Sequence, residues 1–195
     1  YGYLRRIVPG GIRSDRDQAA LQLAFYLASW GMYRGSGFLL QYAYTAHLPV
    51  IDILGESRFL ALWYRDVGGG DADDSLASLI MDLCAQIKKA YLPFARSVDS
   101  GGVTDTLISK VVSGTFGCLP GTDRYFRIGF RRAGYSYSKL TPKFFGELLT
   151  FCRDNLQELR KEQEEIKSVN GVRYPLMKLV DMYFWQLGYE TDNTS

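Results

Sequence analysis

A chain of 195 residues that is 47% apolar and 14% aromatic carries enough material for a buried core, which excludes a disordered or extended protein. Its formal net charge is only +2, so binding of a polyanion through bulk charge is excluded and any such partner needs a local basic patch. Three cysteines (Cys84, Cys118, Cys152) and one histidine (His47) fit neither a disulfide framework nor a zinc site, and no metal is expected.

In chain order, no secretory signal accompanies Arg5 and Arg6, and the cysteines read as buried small hydrophobes of a reducing, cytoplasmic protein. Ser14-Asp15-Arg16-Asp17 is a helix-start signal, and Ala19 to about Trp30 is apolar at helical spacing. Gly31 and Gly35-Ser36-Gly37 weaken or bend that helix before Phe38–Thr45 resumes it. Gln18–Ile51 is nearly uncharged, but its polar and glycine interruptions favour a buried central helix over a membrane span. From Pro49, the residues Ile51, Leu54, Phe59, Leu62 and Trp63 form another apolar stripe, which Gly68-Gly69-Gly70-Asp71 ends as a loop.

Asp73-Asp74-Ser75 opens a helix whose expected buried face is Leu76, Leu79, Ile80, Leu83, Ile87 and Leu92. Ser100-Gly101-Gly102 breaks the chain, and Thr104-Asp105 caps a helix running through Leu107, Ile108, Val111 and Val112. Thr141-Pro142 starts a helix extending through Leu159 into the charged Arg160–Lys167 stretch. Asn170-Gly171 is a turn, and Pro175 opens the last helix. Strict alternation is missing and β-branched residues are sparse. The expected architecture is all-α, with about seven to nine helices. They form one domain or two lobes: about 1–70 with helix 172–190, and about 71–170.

The stretch Gly114–Lys143 is the chemically informative one. A small-residue turn, Gly117-Cys118-Leu119-Pro120-Gly121-Thr122, leads to Asp123, and no further carboxylate occurs before Glu147. Helical spacing puts Arg124, Arg127, Arg131 and Arg132 on one face and Phe126 and Phe130 on another; Lys139 and Lys143 follow. Such a face is a footprint for phosphates. Asp123 is then the residue to explain, because an acid repels the same phosphates. Lys110 stands among apolar neighbours, where desolvation favours the neutral, nucleophilic amine. The plainer alternative is that Lys110 snorkels to solvent or pairs with an acid.

A lysine on a helix, a loop ending Leu119-Pro120-Gly121-Thr122-Asp123, and a helix just after that acid resemble the helix-hairpin-helix DNA glycosylase superfamily. The similarity is to the divergent branch akin to 8-oxoguanine DNA glycosylase, and Leu27–Arg34 and Lys178–Gly188 also look like segments of it. The resemblance implies a monomer acting on double-stranded DNA with a damaged or modified base, in repair or in defence against phage DNA. It gives Asp123 the role of stabilising the cationic sugar and Lys110 that of attacking C1′. It implies a degenerate hairpin at Gly101-Gly102-Val103-Thr104 and no cofactor, since the four-cysteine run of an iron–sulfur cluster is missing. Trp30, Tyr33, Arg34 and Tyr125 are candidates for a base pocket or wedge. Arg124, Arg127, Arg131, Arg132 and Lys139 are candidates for phosphate contacts. Asp181 reads as a structural acid bonded to nearby backbone or an arginine. The rival reading is a non-catalytic helical module that binds nucleic acid or protein, with Asp123 a helix cap.

Overall fold

The computed structural model describes residues 15–63, 65–70, 73–98, 102–166 and 173–193, and every regular element among them is helical. Among the described residues there are nine α-helices: α1 (Arg16–Ser29), α2 (Leu48–Leu54), α3 (Leu60–Trp63), α4 (Asp73–Arg96), α5 (Asp105–Thr115), α6 (Arg124–Arg132), α7 (Pro142–Asp154), α8 (Leu156–Glu165) and α9 (Leu176–Asn193). The all-α expectation holds. The expected signals at Arg5-Arg6, Ser14, Asp71, Ser100-Gly101, Lys167 and Asn170-Gly171 lie outside the described residues.

Helix starts follow side-chain caps. Asp15, Thr104 and Thr141 accept hydrogen bonds from the backbone N–H groups of Gln18, Leu107 and Phe144. Each satisfies one of the donors a helix start leaves without an intrahelical partner. Two expectations fail locally. Phe38–Gln41 and Tyr44–His47 are separate short 3-10 turns, because Tyr42 and Ala43 between them are extended. The helix from Thr141 ends at Asp154, and Asn155, outside the helical region, separates α7 from α8.

Two compact units divide the chain: residues 1–64 with 82–116, and residues 65–81 with 117–195. The grouping differs from the lobes expected from sequence, since the C-terminal helix belongs with Gly117–Ser195. In the first unit, α1 buries Ala20, Leu23 and Leu27, and α4 contributes Leu83, Ile87 and Tyr91. Leu92 is only half-buried, because the buried row advances by fours through Leu83, Ile87 and Tyr91. A fully buried tyrosine needs a partner for its hydroxyl, and His47 supplies it.

In the second unit, an aromatic cluster forms the core: Phe126, Phe130, Phe144 and Phe184 meet with ring centroids 5.0–6.2 Å apart. Its axis is the crossing of α6 and α9, which is possible only because both helices carry a glycine where they touch. A Cβ on Gly129 would overlap the carbonyl oxygen of Phe184, and one on Gly188 would overlap that of Tyr125. Backbone against backbone leaves nothing flexible to yield. Gly129→Ala or Gly188→Ala is therefore expected to destabilise the chain by about 2–3 kcal/mol or more, the upper range for an overpacked core. Gly146, inside α7, has nothing within 4 Å of a built Cβ. Gly146→Ala should instead be neutral or stabilise by up to about 1 kcal/mol through helix propensity. Urea unfolding of the three variants checks the opposite signs.

Candidate functional site

The turn leading to Asp123 begins at Gly117, whose φ of +68° lies in the region glycine occupies without strain. From there to Thr122 every residue is buried, so the loop has to find its hydrogen-bond partners inside the protein. It does so at both ends of the Gly121–Thr122 pair. The Gly121 N–H donates to Asp181 Oδ1 at 2.9 Å. The Thr122 carbonyl accepts from Arg127 Nε at 2.9 Å, and Tyr137 donates its hydroxyl to Thr122 Oγ1 at 3.4 Å. Asp181 in turn accepts from Lys178 Nζ at 2.5 Å, and both side chains are 10% exposed. A buried pair like this is costly to halve: loss of one partner leaves an uncompensated charge worth about 3–5 kcal/mol.

This bonding holds Asp123 at the N-terminus of α6. One carboxylate oxygen, Oδ1, accepts the Phe126 N–H at 3.1 Å, and the residue is half-buried. The position is a helix cap by geometry, and it also presents an oriented acid at the mouth of a buried loop.

Spacing alone put four arginines on one face with no acid to neutralise them, and the structure corrects this. Arg124 pairs with Asp192 at 2.7 Å, because the glycine crossing brings the last turns of α9 beside α6. Arg127 turns inward to the Thr122 carbonyl and lies over the Tyr137 ring, 5.0 Å from its centroid. Arg131, Arg132 and Lys139 are exposed, and no ion pair among the described residues involves them. Tyr125 packs edge-on against Trp185 and Tyr189, with centroids at 5.2 and 5.5 Å. In the sequence, Trp185 figures only within Lys178–Gly188, without a role of its own, and Tyr189 is not singled out.

In the first unit, two further candidates meet. Lys110 is 4% exposed, so it does not snorkel, and its Nζ sits 4.1 Å from the centroid of the Trp30 ring. One turn along α5, Gly114 receives the Tyr26 ring so closely that a Cβ there would overlap it. Tyr26/Trp30 and Lys110/Gly114 thus form matching rows, four residues apart on each element. A buried cation against an indole face gains a quadrupole attraction that partly replaces lost hydration. Arg34 is exposed and folds back over Gly31, its Nε 3.1 Å from where a Cβ would stand.

Tyr33 is half-buried and bonds His47 Nε2 at 2.6 Å, while His47 Nδ1 bonds the Tyr91 hydroxyl at 2.6 Å. His47 is completely buried, and burial lowers its pKa from 6.5 to about 4. Burial pushes the Tyr33 phenol up to about 12 and the Tyr91 phenol well above 10. The single histidine is therefore a neutral link between two protonated phenols.

Asp123 and Lys110 belong to different units. The three cysteines are buried and free, and burial, with Asp105 adding to it, pushes the Cys84 thiol up to about 12. Among the described residues, no group of histidine, cysteine, aspartate and glutamate could hold a metal ion, and no helix is long and apolar enough to cross a membrane. Comparison with protein-family models, with curated proteins and with solved structures finds no match to this chain.

His47 yields a pH prediction. Its folded pKa lies below its unfolded value, so its contribution to stability is complete above about pH 6.5 and is lost as pH falls toward 4. Wild type should lose about 1.4 kcal/mol per pH unit across that window, and His47→Gln should flatten this part of the profile. Urea unfolding at pH 7.5, 6 and 5 measures it; equal slopes in the two proteins would contradict it.

Proposed function

We propose that this chain is a DNA N-glycosylase that removes a damaged or modified base, with Asp123 as the catalytic acid residue. The observation that carries the reading is the arrangement at the head of α6: a buried, bonded loop delivers a half-buried carboxylate to the start of a helix whose last turn carries the exposed Arg131 and Arg132. Cleavage of an N-glycosidic bond develops positive charge on the sugar, and a preorganised carboxylate stabilises it most where water is scarce. In this reading the target nucleotide leaves the stack, Asp123 stabilises the sugar cation, and water adds at C1′ to leave an abasic site. Arg131, Arg132 and Lys139 would hold phosphates. Lys110 would serve as nucleophile in a variant of the reaction in which the amine attacks C1′ and forms an imine.

A second reading is favoured by one specific observation, the bond from Phe126 N–H to Asp123. A non-catalytic helical module needs nothing more of that acid than capping. Asp123→Asn separates the two, because asparagine caps about as well as aspartate. Duplexes carrying 8-oxoguanine, uracil, alkylated purines or phage-type modified cytosines, treated with alkali, report base release. The glycosylase reading expects a loss of about a hundredfold or more, with folding and DNA affinity kept. Undiminished release by the variant would reduce Asp123 to a cap. Borohydride trapping of the same duplexes tests Lys110: an adduct formed by wild type and not by Lys110→Gln makes it the nucleophile.

The phosphate surface has its own test. Arg131→Gln with Arg132→Gln should lower the log–log salt slope of DNA binding by about 2, one per phosphate contact. Arg124→Gln should change it little, since Asp192 already neutralises that guanidinium.

A further inference from the structure

In the second unit, a groove of about 470 Å³ runs along α8. From that helix it takes Asn155, Glu158, Leu159, Glu162 and Ile166, positions that follow helical spacing from the residue before α8 to the residue after it. Ten helical residues span about 15 Å, so the feature is a trough and not a compact hole. Its opposite wall is Leu179, Met182 and Tyr183 of α9, and Phe151 closes one end by stacking on Tyr183 at 5.4 Å.

Two independent features mark this trough as a surface built to be covered. Met182 is 41% exposed and Tyr183 50%, and Tyr189 is the one other large apolar side chain exposed among the described residues of the second unit. Clustered apolar exposure of that kind marks a contact surface. The second feature is charge. Three other acids of this unit are paired: Glu164 with Arg173, Glu165 with Lys161, and Asp66 with Arg160. Glu158 and Glu162, one turn apart on the groove edge, form no ion pair among the described residues. Two carboxylates without an ion pair among the described residues thus lie beside the exposed Met182 and Tyr183, in a chain whose net charge is +2.

The geometry points to a docking site for a basic amphipathic helix of a partner protein. Apolar residues at i, i+3 or i+4, and i+7 of that helix fill the trough, and lysines or arginines on its flank reach Glu158 and Glu162. The carboxylates disfavour nucleic acid at the same place, since they repel phosphate. No groove residue takes part in the base-release chemistry proposed above, so the inference does not depend on it.

The probe is a fluorescent Leu/Ala/Lys peptide of roughly 15 residues, about four helical turns, with a Leu/Ala/Glu peptide of identical pattern as its counterpart. Anisotropy titrations compare the wild-type chain with the Glu158→Lys/Glu162→Lys variant, whose exposed substitutions leave the core untouched; circular dichroism verifies the fold. The expected result is binding of the basic peptide by wild type, at least about tenfold weaker binding by the variant, and a gain of affinity for the acidic peptide. Met182→Glu should weaken binding of either peptide. Equal binding of the basic peptide by wild type and variant would overturn the proposal, as would binding by neither. Concentration-dependent self-association abolished by Met182→Glu would also overturn it, by making a second copy of the chain the occupant. So would deletion of residues 1–14 being required for peptide binding, which would make the chain's own N-terminal segment the occupant.

Discussion

The second unit depends on the absence of two side chains. At the crossing of α6 and α9, Gly129 and Gly188 let one backbone lie against the other, and a methyl group on either would overlap a carbonyl oxygen. Close approach at that point fixes the register of the two helices, and the register decides which α9 side chains face α6 and the loop before it. Asp181 then reaches Gly121, Phe184 enters the aromatic core, and Asp192 arrives beside Arg124. The lost helix propensity of two glycines, about 1 kcal/mol each, is offset by burial of the aromatic side chains around the crossing.

From this constraint the candidate acid inherits its position. The loop before α6 is buried, and a buried loop is stable only if its polar backbone is satisfied. Asp181 satisfies one end and Arg127 the other, so Asp123 stands on a bonded support. Precise placement of a charged group relative to developing charge is what makes it catalytically useful. The first unit uses a different device: matched rows of Tyr26/Trp30 and Lys110/Gly114 bury a lysine against an indole ring, and a hydrogen-bonded chain runs from the half-buried Tyr33 through His47 to the fully buried Tyr91.

Much of the helical architecture was legible in the sequence because capping residues and apolar spacing act locally. Thr104, Thr141 and Asp15 announce their helices within three residues of the bond they make. Breaks that depend on backbone conformation were harder: Asn155 divides α7 from α8 inside an unbroken hydrophobic pattern. Asp181 was legible as a structural acid in an apolar stripe, bonded to nearby backbone or an arginine, but the backbone partner, sixty residues away, was not. The arginine face misled for the same reason. Helical spacing gives the direction of Arg124 and Arg127, whereas Asp192 and Thr122, which hold them, are placed by tertiary structure. Nor does any local signal reveal that, among the described residues, Glu158 and Glu162 form no ion pair while Glu164 and Glu165 do.

The central claim is that Asp123 rests on a rigid loop tied to α9 through Asp181. Native-state hydrogen exchange of the Gly121 amide tests it most directly, since that N–H has a single buried carboxylate as its acceptor. The account predicts exchange as slow as the slowest core amides of the second unit, reached only through global opening, and marked acceleration in Asp181→Asn. Exchange at the rate of an exposed loop in the wild-type chain would contradict it.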